Sequence, residues 1–255
     1  MIAKTEAIPI RIATYGGTSH IVTWLTPEYG KISTAIKGAQ RPKRIGGGQY
    51  DLGYLCELLF YERESNGLHT FKDCVALESR LSLRGKWQET ALLSYFCLLA
   101  GNGTFPFVKN SALYQKLLLA LQALDHPPFI HLMLWFELQL LALHGTAPQL
   151  KHCTICHCSP TTIPLLSSKA GGVVCPPCNT KRNLEAYCVT PDTLHFLQVL
   201  QRLRKPLPLT SAKRHQHMSD QSIVAIGHFI GRWMDISLRA RNIAVQMATL
   251  QFKKK

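Results

Sequence analysis

The chain has 255 residues, which suits one large domain or two small ones. Hydrophobic residues make up 46% and charged residues 17%, enough apolar material for a core and too much for wholesale disorder, while no stretch nears the roughly 18 consecutive apolar residues of a membrane span. Lys and Arg number 29 against 15 acidic residues, a net charge of +14 that favours a polyanionic partner over a merely solvated basic surface, because cationic side chains displace counterions condensed on a phosphate backbone.

The start, Met1 to Glu6, lacks the apolar run of a signal peptide, so a cytoplasmic protein is expected. Ile8, Ile10 and Ile12 alternate with Pro9, Arg11 and Ala13, a period of two that predicts a strand. Tyr15 to Thr18 reads as a turn, Ile21 to Leu25 as a second strand, Pro27 to Gly30 as another turn and Lys31 to Ile36 as a third strand. A basic, glycine-rich loop follows from Gly38 to Gly48. Leu52 to Tyr61 and Leu68 to Leu77 complete five short strands around Asn66-Gly67. Five strands with polar turns predict a small barrel of the OB type, with an SH3-like barrel as the alternative.

From Trp87 the pattern turns helical. Leu92, Leu93, Phe96 and Leu99 form one stripe ending at Gly101, and Leu113, Leu117, Leu118 and Leu121 form a second. A third helix, with Leu132, Trp135, Phe136, Leu140 and Leu143, follows Pro127-Pro128 and stops near Gly145. Two more are predicted, one after Thr190-Pro191-Asp192 and ending before Pro206, the other after Ser219-Asp220 with Ile223, Ile226, Phe229, Ile230 and Trp233. These stripes suit a bundle core rather than a cofactor box. The fold class is α+β: an OB-type barrel over 1–83, then a helical domain over 84–255 holding a cysteine-rich module at 150–180.

Within that module Cys153-Thr-Ile-Cys156 is followed by Cys175-Pro-Pro-Cys178. Two intervening residues let a tight turn aim both sulfurs at one point, and two such turns complete a tetrahedron of thiolates around Zn²⁺. Four thiolates leave no open coordination position, so one structural zinc is expected at Cys153, Cys156, Cys175 and Cys178. Cys158 could replace Cys156, while His152, His157 and Cys188 stand nearby as spare candidates. Nine cysteines in a cytoplasmic chain suit thiols and a metal better than disulfides.

No catalytic motif competes. Cys175 and Cys178 could instead serve a thiol–disulfide oxidoreductase, but that chemistry goes with a βαβ pattern, and none is visible. A zinc deaminase needs His-x-Glu upstream of its P-C-x-x-C, and the chain has no His-x-Glu. G-x-x-x-x-G-K-[ST] and H-E-x-x-H are also missing, so no enzyme is expected. Lys31, Lys37, Arg41, Lys43 and Arg44 crowd around the glycine-rich loop, where they could follow a phosphate backbone. Tyr15, Trp24, Tyr29 and Tyr50 could stack on bases, although Trp24 suits the barrel core better. Lys253 to Lys255 adds non-specific attraction at most.

These pieces together resemble the RecO family. Tyr15-Gly16-Gly17-Thr18-Ser19-His20-Ile21-Val22 is similar to the family's first hairpin, with Gly17 where the family often has an acidic residue. Glu28-Tyr29-Gly30-Lys31 and Lys37-Gly38-Ala39-Gln40-Arg41-Pro42-Lys43 resemble the next turn and basic loop. Trp135 to Leu141, followed by Gly145, resembles the helix entering the zinc module, and the two C-x-x-C pairs complete the order. The segment after Tyr187 matches loosely, with Leu238 to Asn242 as an echo of the family's basic tail. The resemblance implies a DNA repair and recombination mediator that binds single- and double-stranded DNA and anneals complementary strands. It implies partnership with RecR and with the acidic C-terminal tail of single-strand-binding protein (SSB), and indirectly with RecF and the RecA recombinase. A place at the bacterial nucleoid follows from these roles. By position, Lys37, Arg41 and Lys43 become the expected DNA contacts. The chief alternative is a zinc-stabilised adaptor whose charge serves an acidic protein tail.

Overall fold

The computed structural model describes residues 1–40, 49–63, 68–159, 163–206, 216–234 and 236–250. Arg41, Lys43, Arg44, the Gly46 to Gly48 run, Asn66-Gly67 and Lys253 to Lys255 lie outside them. Two compact units divide at Asp125 and His126. The first helices therefore count with the barrel, while the sequence boundary at 83/84 marks where strands give way to helices.

The first unit opens with five strands: β1 (Ile2–Tyr15), β2 (Ser19–Thr26), β3 (Gly30–Ile36), β4 (Leu55–Tyr61) and β5 (Leu68–Glu78). They close a barrel in the order β1-β2-β3-β5-β4, the OB-type arrangement. β1 serves two partners. Its first half, from Ile2 to Ala7, pairs with Tyr61 to Cys56, and its second half, from Ile8 to Tyr15, pairs with Leu25 to Ser19. The register slips between Pro9 and Arg11, where proline can give no ladder hydrogen bond. A parallel pairing of β3 with β5, from Ser33↔Leu68 to Ala35↔Thr70, closes the barrel.

The slip corrects the simple alternation read at Ile8, Ile10 and Ile12. Ile12 packs on the barrel interior with Val22, Trp24, Ile32 and Phe60, whereas Ile10 reaches toward Gly101 of α1 (Trp87–Asn102). Trp24 is fully buried and donates its indole N–H to Thr34 Oγ1 at 2.9 Å, so it is core as expected. Tyr29 and Tyr50 also pack on this interior, Tyr29 edge-on to Phe60. α2 (Ser111–Gln122) starts where Asn110 Oδ1 accepts the Leu113 N–H at 3.0 Å, a side-chain cap.

Gly30 fits where no larger residue can. Its φ is +68°, and a Cβ there would lie 2.1 Å from the Val108 carbonyl oxygen. Gly30→Ala is expected to cost roughly 2–4 kcal/mol, by combining left-handed strain with overpacking against backbone. Chemical denaturation checks this; a loss below the ordinary surface-mutation range would mean that the Phe105 to Val108 segment yields freely.

The second unit is built around α3 (Phe129–Leu143), which is buried on every side from Phe129 to Leu141. α5 (Pro191–Arg202), α6 (Gln216–Trp233) and α7 (Leu238–Thr249) pack against it. Trp135 Nε1 donates to the Leu203 carbonyl at 3.0 Å and Gln139 Nε2 to that of Gln201 at 3.2 Å, so α3 satisfies carbonyls at the end of α5. Thr190 caps α5 as its sequence predicts, accepting the Thr193 N–H at 3.2 Å. α6 starts earlier than the Ser219-Asp220 signal. Glu137 and Arg241, both buried, form a two-pronged ion pair at 2.8 and 2.9 Å. Gly227 of α6 makes room for it, since a Cβ there would lie 2.6 Å from Arg241 Nη1.

Between α3 and α5 sits a small module. β6 (Leu165–Ser167) pairs with β7 (Gly172–Val174) and with β8 (Tyr187–Cys188), both antiparallel, and α4 (Pro176–Arg182) follows β7. Gly172 lies against Gln149, whose carbonyl oxygen would be 2.2 Å from an added Cβ.

Candidate metal centre and nucleic-acid interface

The module brings both C-x-x-C pairs to one point. In the first, the His157 N–H donates to the Cys153 carbonyl at 3.0 Å, closing a tight turn. In the second, Cys175 is the residue before α4 and Cys178 lies in its first turn, where the Asn179 N–H donates to the Cys175 carbonyl at 2.9 Å. The hydrogen bond from Cys175 N–H to Cys153 Sγ, at 3.4 Å, ties one pair to the other.

All four sulfurs lie within 4.8 Å of one another, and those of Cys156 and Cys175 are 3.6 Å apart. A zinc tetrahedron with bonds of about 2.3 Å has edges of about 3.8 Å, so the spacing fits. Cys153 and Cys175 are buried, Cys178 is half-buried and Cys156 is exposed. Burial pushes the Cys153 thiol up, but backbone N–H groups of Cys156, Cys175 and Ile155 outweigh it and hold the thiol down near about 6. Hydrogen bonding with the Cys175 sulfur, and burial, push Cys178 up to about 12. Sulfurs this close resist ionising together, and a bound dication removes that resistance. The donor set and its spacing therefore suit Zn²⁺, which such thiolates would hold as a closed structural centre. The sheet beside Cys175 and Cys178 is antiparallel and the other pair is in contact, an arrangement unlike the βαβ setting of a dithiol oxidoreductase.

Of the expected phosphate contacts, Arg41, Lys43 and Arg44 lie outside the described residues, and the two described lysines, Lys31 and Lys37, stand apart. Lys37 is exposed just past β3, beside the β1–β2 turn. Gly38 N–H donates to Ser19 Oγ and Gln40 N–H to the Thr18 carbonyl, which ties this segment to the hairpin carrying the exposed Tyr15. Lys31 sits at the opposite end of β3, roughly 20 Å away by strand rise. Its ammonium donates to the Gly101 carbonyl at 2.7 Å, and burial lowers its pKa.

Around Lys31 opens a cavity of about 880 Å³ on the first unit. Arg11, Thr23, Ser33, Asn102 and Phe107 line it with Lys31. Arg11 is exposed and Phe107 is half exposed, so a cation and an aromatic ring face the same opening. Neither was among the expected contacts. Arg11 faces away from the interior in the strand pattern, which was its one signal. Phe107 comes near because its N–H donates to the Lys31 carbonyl at 3.1 Å, a contact invisible in the sequence.

An OB-type barrel joined to a helical unit with a four-thiol cluster is the class that the fold and site define. Residues 1–80 match the family described as "Recombination protein O N terminal", and residues 84–218 match "Recombination protein O C terminal". The chain therefore belongs to the RecO family of DNA repair proteins. It is 32% identical over 198 residues to DNA repair protein RecO of Dehalococcoides mccartyi (strain CBDB1), covering 76% of this chain and 78% of that one. It is 29% identical over 185 residues to the Bacillus subtilis (strain 168) protein of the same name, covering 71% and 70%. No described helix is long and apolar enough to cross a membrane.

Proposed function

We propose that this chain is a non-enzymatic recombination mediator. It binds single- and double-stranded DNA, anneals complementary strands and, with RecR, helps load recombinase onto SSB-coated DNA. The observation that carries this reading is the open cavity where Arg11, Lys31 and Phe107 meet on the barrel of a chain charged +14. Cations that gather two strands lower the repulsion between their backbones, and an exposed ring can hold an unstacked base. Lys37, Tyr15, Arg41, Lys43 and Arg44 add contacts to DNA, and Cys153, Cys156, Cys175 and Cys178 hold a structural zinc. The acidic SSB tail supplies a foothold on coated DNA. RecF and the recombinase join indirectly, at the cytoplasmic nucleoid.

The test compares annealing rates on DNA coated with intact or tail-deleted SSB at two salt concentrations, without ATP. Annealing is expected to need the tail and to fall steeply with salt. Arg11→Ala with Lys37→Ala should flatten the log–log salt slope of DNA binding by up to about two units. Equal annealing on both coatings would remove tail capture. Binding to an acidic peptide but not to DNA would leave an adaptor in place of a mediator.

A further inference from the structure

The thiol cluster has a fifth member. Cys158 Sγ lies 3.2 Å from Cys156 Sγ, and both residues are exposed. The backbone builds this approach. His157, between them, has φ +59°, and the Cys153 N–H donates to the Cys158 carbonyl at 2.9 Å, which folds the segment back on itself. Cys156 is also 3.6 Å from Cys175 within the four-sulfur cluster. A closed zinc centre uses four sulfurs, so the fifth has no place in it while the other four are bound.

We propose that Cys156 and Cys158 are an oxidisable pair whose disulfide withdraws Cys156 from the metal site. The inference rests on the reading of the four-thiol cluster as a zinc centre. The oxidant is a peroxide. The Cys156 thiolate attacks the O–O bond, gains one oxygen as a sulfenic acid and releases hydroxide. The Cys158 sulfur then attacks the sulfenic sulfur, the S–S bond forms, and the departing hydroxyl takes the Cys158 proton to leave as water. One peroxide is reduced to two water equivalents and two thiols are oxidised. Three sulfurs remain for the metal, and its hold weakens. A dithiol reductant reverses the step by exchange and returns Cys156 to the site. The buried Cys153 and Cys175 are shielded from the same oxidant, which directs the chemistry to the exposed pair.

The full chain, purified with its metal, is treated with limiting hydrogen peroxide. Peptide mass mapping follows the cysteines, and a chromogenic chelator follows zinc. The expected result is a Cys156–Cys158 disulfide that accumulates in step with about one zinc released per disulfide. Dithiothreitol with added zinc should restore the starting state. Cys158→Ser should keep its zinc before treatment and release it several-fold more slowly under peroxide. Zinc loss with Cys158 still reduced, or wild-type release from Cys158→Ser, would overturn the proposal. So would a Cys158→Ser protein that lacks zinc before treatment, since Cys158 would then be a ligand. A wild-type preparation without metal would refute the zinc reading instead, and the peptide map would still decide the disulfide.

Discussion

If the four-thiol cluster holds zinc, as proposed, Cys175→Ser is expected to lower zinc content and to loosen the segment between α3 and α5. Cys175 is the linchpin of the site. Its sulfur is 3.6 Å from that of Cys156, its N–H reaches Cys153 Sγ, and its carbonyl starts α4. The strands beside it are short, three residues in β6 and β7 and two in β8, and bury little apolar surface, so a metal bound at the cluster would supply much of the module's stability. Zinc contributes about 10–16 kcal/mol of apparent binding energy in small modules near neutral pH, and that energy is coupled to folding. Even a share of about 4 kcal/mol would lower the thermal midpoint by roughly 10 °C. Metal analysis and a thermal melt check both effects. Chelator treatment of the wild type should reproduce the loss, and added zinc should reverse it there but not in the variant. Stoichiometric zinc retained by Cys175→Ser would move the site elsewhere.

Glu137→Ala is expected to cost about 3–5 kcal/mol, because it leaves the buried Arg241 guanidinium without its carboxylate. Both side chains are almost wholly out of solvent, and the guanidinium packs closely over Gly227. The double variant Glu137→Met with Arg241→Met should cost less than Glu137→Ala alone, since two apolar chains need no partner in that space. Denaturant titration of the wild type and the two variants forms the comparison. A double variant that costs as much as Glu137→Ala or more would mean that the unpaired guanidinium is not the source of the loss.

The cysteine quartet was legible because its geometry is local: two residues between ligands specify a turn, wherever the turn lies. The five strands and the large helices were legible for a similar reason, since each carries its own period. The elements missed lack one. α7 buries Arg241, Ala244 and Ala248, a face that reads as polar and small rather than apolar. α4 is 7 residues long and opens on two prolines, which read as a turn. The spacing of the two described lysines was not legible. Lys31 and Lys37 are close in sequence, but an extended strand between them puts them at opposite ends. Glu137 and Arg241 are 104 positions apart, and no local pattern joins them.

The double pairing of β1 sets a schedule for synthesis. Residues Ile2 to Ala7 hydrogen-bond to Cys56 through Tyr61, so this segment leaves the ribosome roughly 50 residues before the strand it pairs with. At about 5–20 residues per second, that wait lasts several seconds. For that time the nascent chain carries an unmatched β-edge along the first half of β1, a natural target for chaperone capture and for pairing with a neighbouring chain.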